Sequence, residues 1–462
     1  MKTWLWALTL ATPLSLAAQL PFFRHYTPDD FKAHPLVWAV TQDANKALYM
    51  ANNDGVLVFT AGEWKLISTP FAVRALAFDR NNRLYVGGQG DFGMYKATKA
   101  GTLEYYSFRT LLPEEQRNIT EIQKIYALPS GVYYVSDNKI ITAVWNDNQV
   151  KITNSNVAGI LGHGAMMGAM YVNKEGVGLC KFEKGGFVLI SGGGVFKDAE
   201  ITTIAEIGEK EYVIGTSQNG LFRVSGGAIK KFPTSADEYL SKHIVYEAAG
   251  LPGGGFAIAT KYGGVVVFDK NGNAIATLNR RNGFPHEEMY TLYADQEGGL
   301  WTSHNDGVTQ ILPLSGLKTY EAFTGVKGKA TDMAELNGRL FVTTVGGVFY
   351  LDPGAGAFKQ VEGLNAESWS VRAAGGRMLA ATNLGVYDVT TGTAKPVYPN
   401  VIALKIHPAG ERRAYVGLID GVAILEGGPD GWTGFERVVG FGDEVNSLYA
   451  SDPNTLWVGT NN

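Results

Sequence analysis

Six side chains able to do chemistry recur at one place in a repeated sequence pattern: Trp38, Arg74, Tyr126, Tyr246, Tyr290 and Trp369. Each stands near the start of a short apolar run, as in Val37-Trp-Ala-Val40 and Val245-Tyr-Glu-Ala248. Aromatic faces and a guanidinium set around one opening would stack on, and hydrogen-bond to, a ring-shaped ligand such as a sugar. The same residues would serve equally well as packing between neighbouring elements, since large aromatics bury readily. Other constellations carry less. Gly88-Gln-Gly-Asp-Phe-Gly93 has dinucleotide-binding spacing, but that chemistry needs the glycines to open a helix, and here another strand follows. Asn53-Asp-Gly55, Asn305-Asp-Gly307 and Ile419-Asp-Gly421 each offer one or two oxygen ligands, too few for calcium, and read as hairpin turns with Asp-Gly at the tip. The histidines, at 25, 34, 163, 243, 286, 304 and 407, fall in different repeats without ligand spacing, so none is assigned to a metal. There is no G-x-S-x-G, and the lone Cys180 reads as a small buried hydrophobe. No catalytic residue and no cofactor follows from these residues.

The elements that must position these side chains repeat. An apolar strand, a small residue, a polar stretch and then Gly-Val or Gly-Leu recur as Leu48-Tyr-Met-Ala, Leu84-Tyr-Val-Gly, Tyr212-Val-Ile-Gly, Leu300-Trp-Thr-Ser, Ala414-Tyr-Val-Gly and Leu456-Trp-Val-Gly. From Gly55 to Gly421 the step averages about 41 residues, the length of four short strands in one propeller blade. One unit reads as strands Val73–Phe78 and Leu84–Gly87, a third opening at Met94-Tyr95, and a fourth at Tyr105–Phe108. No stretch holds a helical period, so the fold class is all-β. Eleven such units exceed the 4–8 blades of one ring, which predicts tandem β-propellers, the first seven-bladed and the second incomplete. Phe22-Phe-Arg-His-Tyr26 resembles Leu317-Lys-Thr-Tyr320, and both look like fourth strands. Phe22–Tyr26 is therefore expected to complete the seventh blade, which would otherwise leave two open sheet edges.

Bulk composition agrees. The 462 residues are 45% hydrophobic and 18% charged, with 58 glycines suited to tight turns. A net charge of −4 without a basic stripe argues against nucleic acid. Residues 1–18 read as a signal peptide, with Lys2, an apolar stretch and Ala17-Ala18 before Gln19. No later apolar run is long enough to span a bilayer. One cysteine permits no internal disulfide, so burial and sheet pairing must hold an exported chain together. The expected domains are the first propeller over 19–313 and a partial second over 314–462.

Leu456-Trp-Val-Gly-Thr460, preceded by Val445-Asn-Ser-Leu-Tyr and Asp452, resembles the two-component regulator propeller repeat, as does Ala294-Asp-Gln-Glu-Gly-Gly-Leu-Trp301 followed by Gly307-Val308. The resemblance implies the periplasmic, extracytoplasmic sensor region of a membrane-anchored bacterial receptor, which could act as a dimer. In such receptors the propellers precede a triple-tyrosine domain, a transmembrane helix and a kinase or other output domain. On that reading the residues present are a truncated, non-catalytic part whose partner is a small molecule, with carbohydrate foremost. Two other classes stay open: a propeller enzyme of lyase or lactonase type, which needs clustered acids and histidines on one channel face, and a scaffold that docks another protein.

Overall fold

An aspartate in the first turn of three blades, Asp43, Asp79 and Asp295, shows how local sequence starts a blade. Asp295 accepts the backbone N–H groups of Glu297 and Gly299 at 3.0 and 2.7 Å and the Trp301 indole N–H at 2.9 Å. Asp43 and Asp79 accept amides two and four residues onward in the same way, and so does Asp269 in a turn between third and fourth strands. A carboxylate that satisfies two otherwise free amides favours the turn over continued strand. The next hairpin differs from expectation. In strands β3 (Leu48–Asn52) and β4 (Gly55–Thr60), Asn52 pairs with Gly55, so the loop is Asn53-Asp54 and the glycine already belongs to β4. Gly55 has φ +141°, and an added Cβ there would strike the Ile67 carbonyl of the adjoining strand, so backbone and space both require glycine, while Asn53 and Asp54 keep ordinary φ.

The computed structural model describes residues 21–97, 103–146, 149–284, 286–316, 325–352, 357–428, 431–452 and 455–461. The signal-peptide segment 1–18 and the expected strand Leu317–Tyr320 lie outside the described residues. The chain forms two compact units that divide between Thr319 and Tyr320. In the unit Leu20–Thr319, the described residues build seven four-stranded sheets. The first runs β2 (Val37–Gln42), β3, β4 and β5 (Glu63–Ser68) in order. In the expected unit, the third strand begins at Phe92, two residues early, and the fourth is Leu103–Ser107. Innermost strands adjoin one another, as β2 does Val73–Phe78 and Val245–Gly250 does Thr291–Ala294, the last of these lies against β2, and the third and fourth sheets meet through Val135 and Val172. That circle of radial sheets is a β-propeller. Among the described residues, helix is confined to short segments such as Asp237–His243.

The unit from Tyr320 onward repeats the blade pattern. Its described residues form three four-stranded sheets, led by Ala330–Leu336, Ser368–Ala374 and Ala403–Pro408, and the hairpin Val445–Asp452 with Thr455–Thr460.

The core lies between blades. Buried clusters join neighbouring sheets, as where Ala75, Tyr85 and Phe92 meet Ile125, Val132 and Tyr134. The small residue of the motif sits at this contact. A Cβ on Gly87 would come within 2.8 Å of Ile122, and one on Gly215 within 2.7 Å of Val245, each at the start of the next blade. Gly417 faces Val445 in the same way.

The ring closes through β1 (Phe22–Tyr26), which pairs antiparallel with Gly307–Leu312 as the outer strand of the last blade, Tyr26 opposite Val308. Gly307 admits the Tyr26 carbonyl just as Gly55 admits Ile67. Tyr26 is buried, stacked on Trp301 at 5.9 Å and edge-on to Trp64 at 5.3 Å, so the closing strand also packs the last blade against the first.

Two outcomes follow from this packing. Tyr26→Ala should cost about 3 kcal/mol of stability or more in chemical denaturation, and removal of residues 21–26 should cost more still; unchanged melting after that removal would refute closure by β1. Gly215→Val should destabilise by about 1–3 kcal/mol through overpacking, whereas equal stability would show that the contact with Val245 does not restrict that position.

Candidate functional site

A single register irregularity builds the mouth of the channel. In β2 the pairing passes from Val37 opposite Asn52 to Ala39 opposite Ala51, leaving Trp38 as an extra, unpaired residue. Arg74, Thr202, Tyr246 and Trp369 are skipped in the same way in their own first strands. Such a bulge bends the strand and re-aims the side chain. Tyr290 and Gln123 precede their strands at the matching place, their amides donating to Ser303 and Val135 carbonyls at 3.0 and 2.8 Å.

This corrects one sequence assignment. Gln123, not Tyr126, is the counterpart of Trp38 in the third sheet, because Lys124 pairs with Val135 as Ala39 pairs with Ala51. The error arose from aligning on aromatic type, and Tyr126 lies three residues deeper. Trp38, Gln123, Thr202, Tyr246 and Tyr290 nevertheless line one cavity of about 760 Å³, with Tyr126 among its walls. Gln123 and Thr202 were missed because they are not aromatic; their repeat position was the available signal. Arg74 reaches the site through Trp38, with its guanidinium 4.3 Å above the indole and its Nε–H bonded to Glu121 at 2.9 Å. Trp369 belongs to the other compact unit.

The aromatics divide by role. Trp38 and Tyr126 pack against buried clusters between blades. Trp38 also meets Tyr290 at 5.7 Å and donates its indole N–H to Asn53 at 2.9 Å, so it acts as wall. Tyr246 is 39% exposed, which leaves its ring free to receive a ligand.

Below the rim, charge crosses the channel. Lys124 of the third sheet pairs with Glu247 of the sixth. Glu247 also accepts from the Thr291 hydroxyl at 2.9 Å and the Leu292 amide at 2.8 Å, tying the sixth sheet to the seventh. Burial works against the Lys124 charge, but the Glu247 carboxylate outweighs it and holds the ammonium above its usual range. Tyr126 hydrogen-bonds His163 Nδ1 at 2.9 Å. Burial, then the Lys124 charge, pushes His163 down to about 4, so the imidazole is neutral at pH 7. Burial raises Tyr126 to about 12. The wall therefore presents neutral hydrogen-bonding groups and a compensated ion pair beside one open aromatic face.

The histidines are less scattered than their sequence positions imply. His25, His286 and His304 gather at the closing blade, with candidate ligand atoms within 4.8 Å of one another. Closure of the ring brings together positions far apart in the chain, and no local spacing announces it.

No protein-family model and no curated protein matches this sequence. Similar solved structures include one described as the extracellular domain of the hybrid two-component system BT3049 from B. thetaiotaomicron. It is 14% identical, with a TM-score of 0.62, over 96% of this chain and 64% of that one. The extracellular domain of BT4673 from the same organism is 15% identical over 96% of this chain and 71% of that one, with a TM-score of 0.49. A streptogramin B lyase is 11% identical over 64% of this chain and 99% of its own, with a TM-score of 0.47. The chain thus spans about 64% of the length of the BT3049 domain. At such identities the likeness is one of architecture, and by architecture the chain is a β-propeller protein built like the extracellular domain of a two-component-type receptor.

Proposed function

We propose that the chain is the extracytoplasmic sensor region of a two-component-type receptor and that its first propeller binds a small polyhydroxylated ligand, a sugar above all, at the channel mouth. The observation that carries this reading is the 760 Å³ cavity lined by Trp38, Gln123, Thr202, Tyr246 and Tyr290, with Tyr246 open and Trp38 and Tyr290 forming its wall. Its volume lies within the range of small-molecule sites, which combine apolar faces with a few placed polar groups. The fold shared with a receptor's extracellular domain supports the sensor role. Trp369, bulged in the same way in the second unit, would mark an independent site there. The parent receptor would be membrane-anchored; among the described residues no helix is long and apolar enough to cross a bilayer.

A second reading, a propeller lyase or lactonase, is favoured by the Tyr126–His163 pair, since a neutral imidazole bonded to a phenol could move a proton. Product analysis separates the two: a sensor returns its oligosaccharide intact, and an enzyme does not.

Calorimetric titration against an oligosaccharide panel tests the binding reading. Tyr246→Ala should weaken the binding oligosaccharide about tenfold, about 1.4 kcal/mol, with no change in melting temperature. Trp38→Ala should lower both affinity and melting temperature, because that ring also packs between blades. Affinity indifferent to both changes would overturn a channel-mouth site.

A further inference from the structure

We propose that His25, His286 and His304, with Asp306, form a transition-metal site of zinc class that clasps the closing strand of the first propeller. The ligands come from separate pieces of backbone. His25 lies on β1, His304 ends the strand Leu300–His304, His286 lies in the segment before Thr291–Ala294, and Asp306 is in the hairpin that follows His304. Their convergence depends on β1 taking its place in the last blade, with His25 opposite Thr309.

The donor set suits such an ion. Imidazole nitrogen is the common ligand of zinc, copper and nickel, and three imidazoles with one carboxylate fill a tetrahedral zinc shell. His25 Nε2 is buried and makes no hydrogen bond, and both it and His286 Nε2 lie 3.9 Å from the Asp306 carboxylate. The Thr309 hydroxyl meets His25 Nδ1 at 3.2 Å and His304 Nε2 at 3.1 Å, the kind of outer contact that fixes the rings of metal-binding histidines. His304 Nδ1, the nitrogen this leaves for the ion, accepts the Asp306 backbone N–H at 3.3 Å, a contact that must be given up on binding.

The site requires closing. Ligand atoms up to 4.8 Å apart must draw in by roughly 1 to 1.5 Å to reach the spacing that bonds of about 2.0–2.1 Å dictate. The His286 and His304 rings stack at 3.7 Å, so one must turn before both can point a lone pair at one ion. His286 stands outside any regular strand or helix, where such a turn costs least. Asp306 is exposed, which gives the ion an entry path. Bound, the ion would tie β1 to the hairpin beneath it at the point where the ring is joined. This inference does not depend on the sugar-binding reading.

The test uses the full chain, purified without a histidine tag, stripped with chelator and titrated with Zn²⁺ alone. One ion per chain should bind with micromolar affinity or better, and excess Zn²⁺ should raise the melting temperature by several degrees through linkage. His286→Ala, in the least constrained segment, should weaken uptake at least tenfold and abolish the melting shift. Asp306→Asn should weaken uptake by a smaller factor, and His34→Ala should leave it unchanged. Should His304→Ala fail to fold, His286→Ala and Asp306→Asn still decide the matter. No stoichiometric uptake at neutral pH, or uptake that survives His286→Ala, would overturn the site.

Discussion

Everything in the first propeller depends on how closely adjacent blades can approach at their inner edges. Where the second strand of one blade meets the first strand of the next, there is room for a glycine or another small side chain against a β-branched one, as with Gly87 against Ile122 and Gly215 against Val245. This contact fixes the spacing of the blades and hence the width of the channel. It also explains why the motif carries a small residue after its apolar strand: the requirement lies in the neighbouring blade, not in the strand itself.

Given that spacing, the site follows from one recurring irregularity. The bulge frees the second residue of four first strands from pairing, Gln123 and Tyr290 stand just ahead of theirs at the same place, and a circle of blades turns that position into a ring of side chains around the mouth. Chemistry at the mouth can then vary from blade to blade without disturbing the sheets: Trp38, Arg74, Gln123, Thr202, Tyr246 and Tyr290 occupy one structural position. One step deeper, Lys124 and Glu247 stand where the first blade has Ala39, and their pairing links opposite sides of the ring. The cavity is floored by a polar crossing and rimmed by aromatics, an arrangement that serves orientation and stacking together.

The join between the ends of the ring is the other organising point. A propeller whose last blade borrows a strand from the beginning of the chain exchanges two open sheet edges for one set of backbone hydrogen bonds. The buried Tyr26–Trp301–Trp64 group adds packing across that join, and the histidines accumulate beside it. Side chains from residues 25 and 304 become neighbours only through this long-range pairing, which makes the join both the most non-local part of the unit and the place where unforeseen chemistry can arise.

By itself the sequence determined the blade. Alternating apolar residues, turn aspartates and glycines specify each hairpin locally, and their spacing of about 41 residues specifies a propeller. It also marked Trp38, Arg74, Tyr246 and Tyr290 as equivalent, because a repeated backbone gives repeated positions. Tyr126 was misplaced by three residues, since residue type says nothing of register. Only the tertiary structure decided which aromatic is free and which is wall, for Trp38 is covered by Arg74 from the next blade while Tyr246 stays open. Only it paired Lys124 with Glu247 and gathered His25, His286 and His304. The physical reason is the same in each case: hydrogen-bonded turns and strand periodicity are short-range and can be read along the chain, whereas contacts across a channel or a ring closure depend on where the blades meet in space.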